Sequence, residues 1–111
     1  MDLRDRELLE QVLESARLAI AHVASGGPEW RADQKTVDAA AKRVEQVGEL
    51  LKRVSLELQA VMPEVPWREA KGIHEILAHA YQDVDVVILA EVVEDDLPSL
   101  IAIFEQRLRS E

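Results

Sequence analysis

Cysteine is absent from the 111 residues, which rules out disulfides, thiolate metal ligands and cysteine nucleophiles and is compatible with a reducing compartment. No apolar run approaches the ~18 residues of a membrane span. The opening MDLRDRELLE is charged from its second position, unlike a signal peptide, so the cytoplasm is the expected location. Basic residues are few, 13 against 22 acidic, and the formal charge of −9 works against non-specific attraction to phosphates. A chain of this balance that acts on nucleic acid has to gather its few cations at one place. The same acidic surface equally suits a basic protein partner. Also missing are a glycine-rich phosphate loop, a His-x-x-x-His pair, a serine elbow, an internal repeat and the alternating pattern of a strand.

What is present is helical periodicity. Leu8, Leu9, Val12, Leu13, Ala16, Ala19, Ile20 and Val23 make a broad apolar face over about residues 4 to 24, ended by Gly26-Gly27-Pro28. Trp30 is expected to fold back on the bundle. Asp33 stands where an N-cap belongs for a second helix over about 34 to 54, whose seam runs through Val37, Ala40, Ala41, Val44, Val47, Gly48, Leu51 and Val54. Ser55 can cap a short turn through Val61, and Pro63 and Pro66 form a connector that opens a third long helix. Asp85 caps a last helical region, in which Pro98 predicts a kink or brief break near Glu94 to Asp96. The run Val86 to Leu89 is too continuous for one stripe and suggests a second covered surface. The fold class is all-α, an antiparallel four- to five-helix bundle in one domain spanning 1–111.

The chemistry concentrates in Trp67 to Asp85, which holds His74, His79, the single tyrosine Tyr81 and one of two tryptophans. Trp67, Ala70, Ile73, Leu77, Ala78 and Tyr81 keep a helical rhythm. Glu75 and His79 stack one turn apart, while His74, Ala78 and Tyr81 line another side. By spacing alone, Glu75 and His79 are a surface pair worth about 0.2–0.5 kcal/mol. Tyr81 is then a core residue whose hydroxyl reaches the rim. The isolated His22 reads as structural or exposed. Glu94, Asp95 and Asp96 read as a solvated linker with capping acids rather than a cation site.

The segments Pro63-Glu-Val-Pro-Trp-Arg-Glu69, Gly72-Ile-His-Glu-Ile-Leu-Ala-His79-Ala-Tyr81, Asp83-Val-Asp85 and Glu94-Asp-Asp-Leu-Pro98 resemble the HepT-like branch of the HEPN superfamily. So do Asp33-Gln-Lys-Thr-Val-Asp-Ala39 and Val44-Glu-Gln-Val-Gly-Glu49 upstream. The resemblance implies a HEPN-like bundle and metal-independent RNA cleavage by the toxin half of a toxin–antitoxin pair; no cofactor and no DNA partner are expected, and the lack of a long apolar run leaves no membrane partner expected either. It implies a homodimer in which His79 of each subunit lines one cleft. The implied antitoxin is a small nucleotidyltransferase that silences the toxin by attaching AMP to the tyrosine, here Tyr81. The family's Arg, four residues, His, one residue, Tyr pattern matches at His79 and Tyr81; its Arg position is His74, followed by Glu75.

Two readings follow. In one, the protein is a ribonuclease with His79 as acid or base, its tautomer set by Glu75, and His74 as the cation when protonated. His74 lacks the permanently charged fork of an arginine, so this activity is expected to be weak or lost. In the other, the protein is an inactive dimeric partner of a nucleotidyltransferase, modified on Tyr81.

Overall fold

The computed structural model describes residues 1–79 and 85–111, with the backbone alone over 74–79. The described elements are α1 (Leu3–Gly26), a 3-10 turn (Trp30–Ala32), α2 (Gln34–Leu51), α3 (Leu56–Val61), α4 (Trp67–His79), α5 (Val86–Glu91), a π turn (Val92–Asp96) and α6 (Leu97–Arg109). With α5, the π turn and α6 taken as one bent rod, this is the all-α bundle of four long helices and one short one that the sequence predicts. No strand occurs among the described residues.

Three pairings set the antiparallel hairpin of α1 and α2. Gly26 lies against Thr36, Ser15 Oγ donates to Gln46 Oε1 at 2.9 Å, and Asp5 accepts from the Ser55 N–H at 3.0 Å, so residues running up one helix meet residues running down the other. Asp2 starts α1 by accepting from the Asp5 N–H at 2.8 Å, and Gly27, with φ of 75°, supplies the left-handed exit that other residues resist. A side chain on Gly26 would stand 2.8 Å from Trp30 Cβ, so its lack of one is what lets the turn close. Trp30 does fold back: it is 6% exposed, with the Arg31 guanidinium 5.7 Å from its ring centre.

One expected cap and one expected helix end come out differently. Asp33 is the N-cap residue of α2, its carbonyl accepting from the Val37 N–H at 3.0 Å, but its side chain makes no cap bond and instead accepts from Thr36 Oγ1 at 2.6 Å. α2 stops at Leu51, and Arg53 and Val54 close it with tight turn bonds to Leu50 and Leu51. The early stop places Ser55 under the Asp5 carboxylate while Val54 still fills the core. Ser55 Oγ also accepts from Leu58 N–H at 3.1 Å, so one residue both caps α3 and is gripped by α1.

The core is built from Leu9, Val12, Ala16 and Ala19 of α1, Val37, Val44, Val47 and Leu51 of α2, and Leu89, Leu97 and Phe104 of the last rod. α4 enters it through Trp67 and Ala70. The Trp67 ring centre lies 6.1 Å from that of Phe104, and its Nε1–H donates to the Met62 carbonyl at 3.0 Å. That pair of contacts fixes where α4 begins and which way it points. Asp85 caps α5 as expected, accepting from Val87 and Ile88 N–H at 2.9 and 3.2 Å.

The predicted break near Glu94 to Asp96 is a π turn: the Leu97 N–H reaches back five residues to the Val92 carbonyl. Proline at 98 has no N–H to give, and the widened turn takes up the missing donor without ending the helix. Glu94, Asp95 and Asp96 are therefore exposed residues of a continuous rod, not a linker, and none of them caps a helix by its side chain.

Candidate functional site

α4 carries the residues singled out by the sequence. His74, Glu75 and His79 lie on its unbroken helical backbone, while their side chains and the whole of Tyr81 fall outside the described residues. Because the helix is continuous from Trp67 to His79, the register of these positions is set at about 100° per residue. Glu75 and His79 share a face. His74 follows Trp67 and Ala70 at steps of seven and four, and Ala70 is buried at 8% exposure, so that line is the core-facing one. His74 and His79, five residues apart, are separated by about 140°. A single copy of the helix thus brings the Glu75 and His79 positions together and holds the His74 position on another side.

The same register puts Arg68, about three turns upstream, on the line of His79 and Lys71 about 80° round the helix from it. Arg68, Gly72, Glu75 and His79 recur at steps of four, three and four, a straight line along the outward face of α4. Arg68 is exposed, and Lys71 is half-buried on the shoulder of the same face.

The opposite flank of α4 forms an apolar groove of about 280 Å³. Val44, Val47 and Leu51 of α2, Ala70 and Ile73 of α4, and Val92, Leu97, Leu100 and Ile103 of the last rod line it, with Glu64, Glu69, Asp96 and Ser99 as its polar members. Burial, and secondarily the neighbouring Asp95 carboxylate, raise the pKa of Asp96 above the ordinary aspartate value. Asp96 is exposed as a whole, so the burial acts on the part of it that lines the groove. The groove faces away from the Arg68–His79 line and does not contribute to it.

A second, polar cleft lies between α1 and α2, where Gln46 Oε1 accepts from both Ser15 Oγ and Arg43 Nη1, the latter at 3.0 Å. Two arginines and two glutamates line it, Arg43 and Arg53 with Glu14 and Glu49, so it has no preference of charge. No cluster of three His, Cys, Asp or Glu positioned to hold a metal ion occurs among the described residues. No described helix is long and apolar enough to cross a membrane.

Comparison with known proteins places these features in a family context. The family profile described as Ribonuclease HepT-like matches residues 9–107. The chain is 39% identical over 74 residues to a protein of Thermococcus cleftensis named Probable ribonuclease HepT, covering 67% of each chain. It is 27% identical over 96 residues to a protein of Caldanaerobacter subterraneus that carries RNase in its name, covering 86% of each. A protein of Methanocaldococcus jannaschii, also bearing RNase in its name, is 31% identical over 62 residues, a match that spans 57% of that relative. No solved structure matches the chain.

Proposed function

Because the chain belongs to the HepT-like ribonuclease family, we propose that it is an RNA-cleaving toxin. In this reading it works in the cytoplasm as a homodimer, without a metal ion, and is held in check by a nucleotidyltransferase antitoxin that attaches AMP to Tyr81. The observation that carries the reading is the register of α4, which sets the Glu75 and His79 positions one turn apart on the outward face.

The chemistry needs no bound cofactor. A neutral His79 imidazole takes the proton of a ribose 2′-hydroxyl, the 2′-oxygen attacks the adjacent phosphorus, and the bond to the 5′-oxygen breaks. A second acid, His79 of the other subunit, returns a proton to the departing 5′-oxygen, leaving a 2′,3′-cyclic phosphate and a 5′-hydroxyl. Glu75 holds the imidazole in the productive tautomer. His74, when protonated, offsets the charge that gathers on the phosphorane oxygens. Val87, 56% exposed between the half-buried Val86 and Ile88, supports a second subunit, while Leu89 of the same run belongs to this chain's own core.

One observation favours the other reading, that of an inactive partner of a nucleotidyltransferase. The position of the motif arginine is His74, and its register follows the core-facing line of α4 rather than the outward one.

RNA cleavage by purified protein tests the choice. His79→Ala is expected to abolish cleavage. His74→Arg is expected to raise it at neutral pH, because a guanidinium stays charged where an imidazole, with a reference pKa of ~6.5, is mostly neutral. A transition-state donor is worth roughly 10²–10³ in rate, so the gain is measurable. Wild type should cleave faster near pH ~5.5 than near ~8, either side of that reference value. If His74→Arg folds and dimerises but cleaves nothing at any pH, the inactive-partner reading replaces this one.

A further inference from the structure

Positive charge is missing from one long stretch of the chain. Between Lys71 and Arg107 there is no lysine or arginine, while eight aspartates and glutamates fall in the same interval. That interval supplies most of α4, all of α5 and the π turn, and most of α6, so two of the three walls of the apolar groove are drawn largely from it.

The groove is apolar in its depth and acidic at its rim. Its polar members among the described residues are Glu64, Glu69, Asp96 and Ser99, all exposed and none of them basic. The three carboxylates come from separate pieces of chain, the connector before α4, the first turn of α4 and the π turn, so the fold and not one acidic run gathers them. No lysine or arginine pairs with any of the three among the described residues, although Arg6, Arg17 and Arg31 all pair with carboxylates elsewhere. Glu64 and Ile103 meet again in the neighbouring depression beside Met62, whereas Asp96 lies seven residues before Ile103 on the rod, about 10 Å along the helix. Carboxylates therefore stand toward both ends of the groove. Burial and the Asp95 carboxylate both disfavour the charge on Asp96, which leaves that carboxylate short of a cation.

We propose that the groove binds a small organic cation, whose apolar body lies against Val47, Ile73 and Leu100 while its ammonium or amidinium group is received by Asp96 and Glu69. Its volume of about 280 Å³ is at the small end of ligand pockets, which run from roughly 300 to 1,000 Å³. A protein partner has to cover about 800 Å² on each side, of which a hollow this size is a fraction. A second copy seated by a two-fold contact over the groove would set the three carboxylates of one chain against those of the other, and like charges oppose that arrangement. The same rim turns away fatty acids and phosphates. The site lies on the flank of α4 away from the Arg68–His79 line, so the inference stands apart from the RNA-cleaving reading and neither depends on the other.

Three probes with one skeleton and different charge test it by titration calorimetry at neutral pH and low salt. Phenylbutylamine should bind once per chain, about fivefold or more tightly than the uncharged phenylbutanol, because charge-assisted hydrogen bonds are the stronger ones. Phenylbutyrate should not bind. Asp96→Asn and Glu69→Gln, both at exposed positions, should each weaken the amine toward the alcohol's affinity and leave the alcohol unchanged. Asp95→Asn, beside Asp96 but outside the groove, should leave both within about twofold, as an exposed charge pair is worth little. Ser99→Trp, exposed at the rim, should block both probes.

Equal affinity for the amine and the alcohol would overturn the proposal, as would an amine affinity untouched by both Asp96→Asn and Glu69→Gln, or binding of phenylbutyrate at the same site. A wild type that binds none of the three probes also overturns it. If a basic amphipathic peptide of leucine and lysine binds where the amine does not, the groove belongs to a protein partner. If Ser99→Trp converts a dimer to a monomer in light scattering, the groove belongs to a second copy, and the proposal fails in either case.

Discussion

Asp5 is 4% exposed, yet it is a carboxylate, and its two oxygens are both spent on Ser55: one accepts from the backbone N–H at 3.0 Å and the other from Oγ–H. Asp5→Ala removes both acceptors and leaves a partly buried N–H and a hydroxyl without partners. Hydrogen bonds to a charged group contribute about 1.5–3 kcal/mol each, and because the two share one partner their loss is not additive, so the expected cost is ~2–4 kcal/mol. Against the ~5–15 kcal/mol that holds a typical domain folded, that is a large fraction. Urea denaturation at one fixed protein concentration measures it, the fixed concentration keeping any dimerisation constant.

A double-mutant cycle assigns the loss to this contact. Ser55→Ala alone costs the α3 cap, ~1 kcal/mol, plus the same bond. The coupling between Asp5→Ala and Ser55→Ala should be about 1.5–3 kcal/mol. Asp5→Asn keeps one acceptor and should fall between wild type and alanine. Because the clamp fixes α3 and the connector into α4 but touches nothing on the outward face, activity per folded molecule should be unchanged. A cost below ~0.5 kcal/mol, the range of an ordinary surface substitution, or a coupling near zero would refute the assignment.

Gly26→Ala should destabilise by about 1–3 kcal/mol, because its Cβ would stand 2.8 Å from Trp30 Cβ and from a Thr36 methyl, neither of which is the far end of a flexible side chain. Thermal melting checks it, and an unchanged melting temperature would contradict the packing at the α1–α2 turn. Asp96 has its pKa raised in the folded state, so the fold favours its neutral form, and stability is lost as pH rises from the ordinary aspartate value through the raised one. Asp96→Asn should therefore gain a few tenths of a kcal/mol at neutral pH, screened because the residue is exposed, and the gain should vanish below about pH 4. Paired melts at pH 3 and pH 7 test the sign.

The helices were legible because each long one buries a face with unbroken three-four spacing, and because Gly27, Ser55, Pro66 and Asp85 mark their ends by strong local rules. What was not legible depends on contacts far apart in sequence. Asp33 does begin α2, but its side chain is taken by Thr36, and α2 ends early because Asp5, fifty residues before Ser55, holds the next segment in place. Pro98 announced a disturbance, but only the hydrogen-bond ladder distinguishes a π turn from a break. For the site, spacing gave the shared face of Glu75 and His79. The core-facing line of His74 needed the buried Ala70 beside it.

The π turn at Val92–Asp96 carries a lesson for comparing this chain with its relatives. A π turn holds the extra residue of a one-residue insertion within a helix, and taking that residue out restores an ordinary ladder without redirecting the rod. A relative whose last helix runs unbroken should therefore be one residue shorter here. Aligned without that gap, each of its positions after the turn would be paired with the wrong face of α6, by about 100°. Residues such as Phe104, fully buried here, would then be matched to outward positions, and the likeness of the two C-terminal thirds would be understated.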